Sequence, residues 1–170
     1  MYRQILVALD GTEGARLALD EALKIACMSN ASVIALYVVT HTVTVGDAAT
    51  GCTEEKVFSA FAHESAREEL ARADELFTRY KVRGTSQSID SYGEPIASVL
   101  LENVESSGAD LMVMGTHGRA GIERFFLGSV AESVLRQVRV PLLLVRSSEQ
   151  PDEDSTRRHP ALRDIQARGD

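Results

Sequence analysis

The residues with the most chemical meaning fall in one stretch, Gly115-Thr116-His117-Gly118-Arg119-Ala120-Gly121-Ile122-Glu123-Arg124-Phe125-Phe126-Leu127-Gly128-Ser129. Its glycines let the backbone close on an anion and aim several N–H groups at it, and a helix opening near Ser129 adds the partial positive charge of its N-terminus. Such a loop cradles phosphate without a lysine. Two other phosphate motifs are excluded. There is no G-x-x-x-x-G-K-[ST], and Asp10-Gly11-Thr12-Glu13-Gly14 is not G-x-G-x-x-G, so neither a P-loop NTPase nor a dinucleotide-binding dehydrogenase fits.

The same residues also carry plainer readings. Ser129-Val130-Ala131-Glu132 is a capping box, in which the Ser129 hydroxyl satisfies the Glu132 N–H while the backbone amides stay turned toward an anion. His117 reads as a surface loop residue, since no acid or nucleophile at recognisable spacing completes a constellation and His41, His63 and His159 lie in unrelated segments. No catalytic residue is therefore expected. Cys27 and Cys52 lack metal-ligand spacing and are expected to be structural thiols, with no metal held by protein ligands. The run Phe125-Phe126-Leu127 is expected to pack beneath the loop or against a second subunit.

Position matters as much as composition, and hydrophobic periodicity supplies the elements that place the loop. Ile5 to Leu9 is a continuous apolar run, as in a strand buried on both faces. From Glu13 to Met28, apolar Ala15, Ala18, Leu19, Ala22, Leu23 and Ala26 recur at helical spacing, with Thr12 as the expected N-cap. Ser32 to Val39 is a second strand, followed by a Thr-, Gly- and Ala-rich loop over 40–53. A long helix is expected from Glu54 to Tyr80, with Val57, Phe61, Leu70, Ala73, Phe77 and Tyr80 on one side. Thr85 to Ser91 is a weaker third strand. Gly93-Glu94-Pro95 opens a helix striped by Ile96, Val99, Leu100 and Val104 and closed at Gly108. Asp110 to Met114 is a fourth strand that ends at the glycine loop. A last helix starts near Ser129, Pro141 halts it, and Leu142 to Val145 forms a fifth strand.

Strand and helix thus alternate four times with a closing strand, which implies an α/β fold: a doubly wound, five-stranded parallel sheet with helices on both faces, Rossmann-like. In such sheets ligands lie beyond the carboxyl ends of the strands where the winding reverses. The chain has 170 residues, 44% hydrophobic and 25% charged, enough for one domain over 1–147. From Ser148 six acids, four arginines and two prolines mark a disordered, charged tail over 148–170. A formal charge of −7 argues against nucleic acid or anionic membrane as partner. The apolar runs are far shorter than the roughly 18 residues of a membrane span. The first strand-like run reaches Asp10 too soon for a secretory signal, so a cytoplasmic location is expected.

The spacing Gly115-x2-Gly118-x9-Gly128-Ser129, with Asp10 at the end of the first strand and the same strand-helix order, resembles the ATP-binding signature of the universal stress protein family over about residues 1–147. That resemblance implies an ATP pocket. Asp10 would lie beside the ribose, Ala8, Val38 and Met114 would line the base and sugar, and Gly115, Gly118, Arg119, Gly128, Ser129 and Val130 would surround the phosphates, with Mg²⁺ arriving on the nucleotide. On the residues alone, Asp10 reads equally as a turn acid ahead of Thr12. The bare apolar strand Leu142-Leu143-Leu144-Val145 is an edge hazard that pairing with a second copy would remove, so a homodimer through that strand is expected. The function this suggests is a nucleotide-dependent stress-response switch with at most slow hydrolysis. The alternatives are an enzyme transferring an adenylyl or phosphoryl group and a nucleotide-free structural dimer module.

Overall fold

The computed structural model describes residues 1–40, 54–116 and 127–147, with side chains for all of these except 54–61. The elements run β1 (Gln4–Leu9), α1 (Glu13–Ser29), β2 (Ser32–Val39), α2 (Glu54–Tyr80), β3 (Gly84–Asp90), α3 (Ile96–Ser107), β4 (Leu111–Gly115), α4 (Ser129–Gln137) and β5 (Leu142–Val145). They form one five-stranded sheet in the order β3-β2-β1-β4-β5, with every pairing parallel. The chain winds outward from β1 to β3, returns beside β1 as β4, and continues to β5. The winding therefore reverses between β1 and β4.

Alternation along each strand explains how both faces are covered. Ile5, Val7 and Leu9 share one core with Val33, Ala35, Tyr37 and Val113, and Ala18, Leu19, Leu23, Ala73 and Phe77 bring α1 and α2 onto that face. Leu6, Leu36, Val38, Met112 and Met114 form the opposite core with Ala97, Leu100, Val104, Ala131 and Val134 of α3 and α4. Each fully buried Leu, Ile or Val contributes roughly 1.5–3 kcal/mol relative to exposure. This is the doubly wound arrangement that the continuous apolar strands imply.

The punctuation follows backbone chemistry. The Thr12 hydroxyl accepts from the Ala15 N–H at 3.3 Å and caps α1. Asn30 and Gly108 end α1 and α3 in the left-handed region, with φ of 55° and 70°. Pro95 lies at the N-cap of α3, one residue outside the helix.

Three expectations need correction. β3 begins at Gly84, one residue earlier than expected, because the Phe77 ring of α2 occupies the space a Cβ would take there. Tyr80 is 38% exposed and does not complete the buried stripe of α2. Cys27 is an exposed free thiol at the end of α1, not a packed structural one, and its Sγ donates to the Tyr80 carbonyl at 3.7 Å. Cys52, Val57 and Phe61 lie outside the described side chains, as does the segment from 148 onward.

Candidate functional site at the strand ends

Asp10 follows the last residue of β1, and its Oδ1 accepts from both the Thr12 N–H, at 2.9 Å, and the Thr12 hydroxyl, at 2.6 Å. That Asx-type turn fixes the carboxylate in front of α1. Gly11 inside it has φ +84°, a conformation glycine adopts without penalty. Behind the turn, Glu69 of α2 is buried and receives Arg16 of α1 through Nε at 3.2 Å and Nη2 at 2.5 Å. The Glu69 hydrogen bond holds the Arg16 guanidinium pKa above its usual value, against the opposing effect of burial. The turn carrying Asp10 therefore rests on a charge pair that joins two helices.

On the neighbouring strand, β4 ends at Gly115 beside the first turn of α1. A Cβ at 115 would lie 2.9 Å from the Gly14 carbonyl carbon and 3.1 Å from the Ala15 nitrogen. Gly115 is thus required by close packing of sheet on helix, whatever the ligand. The next residue, Thr116, donates from its N–H to the Val145 carbonyl at 2.9 Å and accepts from the Gly128 N–H at 2.8 Å. The two ends of the glycine-rich segment are thereby stapled together where β4 meets α4.

At α4 the local chemistry differs from the expected capping box. Gly128, with φ −59° and ψ 147°, is the N-cap; among the described residues no side chain caps the helix, and the first intrahelical bond runs from the Glu132 N–H to the Gly128 carbonyl at 2.8 Å. Ser129 is consequently the first helical residue, not the cap, and Glu132 lies one position too far along to reach back. Its carboxylate pairs with Arg136 at 2.6 Å instead. The N–H groups of Ser129, Val130 and Ala131 precede the first intrahelical bond, which is the arrangement that receives anions.

Ala8, Val38 and Met114 belong to the same sheet face, the one covered by α3 and α4, at or near the carboxyl ends of β1, β2 and β4. Met114 and Val38 are 6% and 9% exposed, so both are largely covered by that core. Val130 and Leu127 pack against this core, which seats the start of α4 on that face. The structure therefore gathers Ala8, Asp10, Val38, Met114, Gly115, Gly128, Ser129 and Val130 at one edge of the sheet. Gly118, Arg119, His117, Phe125 and Phe126 lie outside the described residues. Among the described residues, no group of three or more His, Cys, Asp or Glu side chains could hold a metal, and no helix is long and apolar enough to cross a membrane.

Sequence reasoning passed over Tyr92, in the turn Ser91-Tyr92-Gly93-Glu94 at the same edge. Tyr92 there is 83% exposed with φ 47°. An aromatic residue directly before a glycine, ahead of a helix-opening proline, was the available signal.

Known proteins agree with this architecture. The family model described as the universal stress protein family matches residues 1–146. A universal stress protein of Methanocaldococcus jannaschii is 34% identical over 146 residues, spanning 86% of this chain and 83% of the relative. Among solved structures, a protein of that family from Burkholderia pseudomallei superposes with a TM-score of 0.70 at 34% identity, over 86% of this chain and 97% of that one. A universal stress protein solved in complex with cAMP superposes with a TM-score of 0.64 at 22% identity, over 86% and 99% of the two chains.

Proposed function

The chain belongs to the universal stress protein family, and on that premise we propose that it binds ATP, carried with Mg²⁺, at the carboxyl edge between β1 and β4. It acts there as a nucleotide-dependent switch with at most slow hydrolysis. The observation that carries this reading is the start of α4, with glycine at its N-cap and no capping side chain among the described residues, stapled to the end of β4 at the point where the sheet reverses its winding. Backbone amides in that position favour phosphate, and Asp10, oriented by Thr12, offers a carboxylate to a sugar hydroxyl. The cAMP complex of a relative with the same fold supports an adenine nucleotide as the ligand class. Gly118, Arg119 and Gly128 would surround the phosphates, and Ala8, Val38 and Met114 the base and sugar.

Fast phosphoryl transfer needs an oriented base and strong charge stabilisation of the transition state. The loop sequence offers amides and Arg119 but no evident base, which favours a binding module over an enzyme. Thermal melting tests the assignment. ATP raises the melting temperature of the wild-type chain and leaves that of Gly118→Asp unchanged, whereas an equal response of the two contradicts it.

We further propose a two-fold homodimer through β5. This strand is one of the two sheet edges, and Leu142, Leu143, Leu144 and Val145 are each half-buried in the single chain. Native mass measurement giving only monomer at micromolar concentration contradicts the dimer.

A further inference from the structure

The turn that follows β3 holds an aromatic residue in an unfavourable backbone conformation at the same carboxyl edge of the sheet as Asp10 and Val38. Tyr92 and Gly93 both have positive φ, 47° and 88°, and the Glu94 N–H donates to the Ser91 carbonyl at 2.8 Å. Two positive φ values across such a bond are the mark of a type I′ turn, whose first central position is filled at low cost by Asn, Asp or Gly. Tyrosine there is strained, yet its side chain is 83% exposed and so is not placed there by core packing. Ser91 beneath it is buried and donates its N–H to the Val39 carbonyl at 2.9 Å, which ties the turn to the carboxyl end of β2. Val38 lies one residue back on β2, on the face that also carries Ala8.

Resting on the nucleotide assignment above, we propose that Tyr92 is the base-recognition residue of the site, its ring stacking on the flat face of a purine. β3 lies two strands from β1 in the sheet, about 10 Å. With phosphates at the start of α4 and the sugar at Asp10, a base directed over β2 ends beside this turn. Stacking selects for a large π-face and not for a hydrogen-bonding edge, so Tyr92 favours purines over pyrimidines without separating adenine from guanine.

Tyr92→Asn and Tyr92→Phe, titrated calorimetrically with ATP and with inorganic tripolyphosphate, test this role. Asparagine suits the turn, so Tyr92→Asn is expected to fold and to melt a few degrees higher without ligand. It weakens ATP roughly 10-fold, the scale of one lost base stack, and leaves tripolyphosphate binding unchanged. Tyr92→Phe retains wild-type ATP affinity. If Tyr92→Asn binds ATP as the wild type does, or loses tripolyphosphate in equal measure, the base-stacking role is overturned while the nucleotide site stands. If the wild-type chain binds no ATP, both are overturned.

Discussion

Gly115→Ala separates packing from ligand binding at the most conspicuous glycine of the site. The added methyl would lie 2.9 Å from the Gly14 carbonyl carbon, 3.1 Å from the Ala15 nitrogen and 3.2 Å from the Gly14 oxygen. All three are backbone atoms, so no side chain can rotate away. Nor can the elements part easily: β4 is paired with β1 on one side and β5 on the other, while the first turn of α1 is held by the Thr12 cap and by Arg16 on Glu69. Overpacking of this kind costs about 1–3 kcal/mol. Taking ~2 kcal/mol, the urea midpoint of the ligand-free protein falls by roughly 1 M and the melting temperature by roughly 4–8 °C. Gly108→Ala is the matched control. Its φ of 70° makes alanine unfavourable, but nothing lies within 4 Å of the new Cβ, so only about 1 kcal/mol of backbone strain applies. A Gly115→Ala midpoint equal to wild type, or a smaller loss than Gly108→Ala, refutes the close-approach reasoning.

Other substitutions probe the supports of the Asp10 turn and of the sheet. Thr12→Ala removes both the cap on Ala15 and the hydroxyl that donates to the Asp10 carboxylate, while the backbone N–H at 12 still donates to it, and denaturation should show a loss of about 1 kcal/mol. Glu69→Ala withdraws the buried acceptor of Arg16, which is partly exposed and can rehydrate; chemical unfolding should register about 1–2 kcal/mol, and no loss would show that the pair is neutral. Burial pushes the Asp110 carboxyl upward, but hydrogen bonds from the backbone N–H groups of Gln4, Arg3 and Asp110 itself, together with the Arg3 charge, outweigh it and hold the group below its usual 3.8. Its contribution is therefore present above about pH 4 and lost as pH falls through the lower folded value. Asp110→Asn should flatten that acid loss while costing under ~1 kcal/mol at neutral pH, since the side chain is a third exposed. An acid unfolding profile unchanged in the variant rejects the assignment.

Most of the scaffold was readable because strands buried on both faces are apolar throughout and helices are striped. β2, α2 and β5 fall on the residues that periodicity marks, from Ser32–Val39, Glu54–Tyr80 and Leu142–Val145. β3 was harder: it is a polar edge strand, and its first residue is a glycine that exists to admit the Phe77 ring, a contact 7 residues away in sequence yet across two elements. The site was legible as a place and less so in its parts. Asp10 and Thr12 do what a turn acid and a cap should. Gly115 carries two demands that sequence cannot separate, since a phosphate-binding glycine and one pressed against Gly14 look alike. Ser129 shows the limit of a four-residue pattern: Ser-x-x-Glu matches a capping box, but with Gly128 supplying the first carbonyl, the register is one residue off. Tyr92 went unnoticed because an exposed aromatic in a turn has no periodicity, and its positive φ exists only in three dimensions.

The most direct measurement is a crystal structure of the full chain grown with ATP and Mg²⁺. The nucleotide is expected with its phosphates against the amides of Ser129, Val130 and Ala131 at the start of α4, and its ribose at Asp10. ATP bound elsewhere, or a crevice between β1 and β4 that stays empty at millimolar nucleotide, contradicts the site.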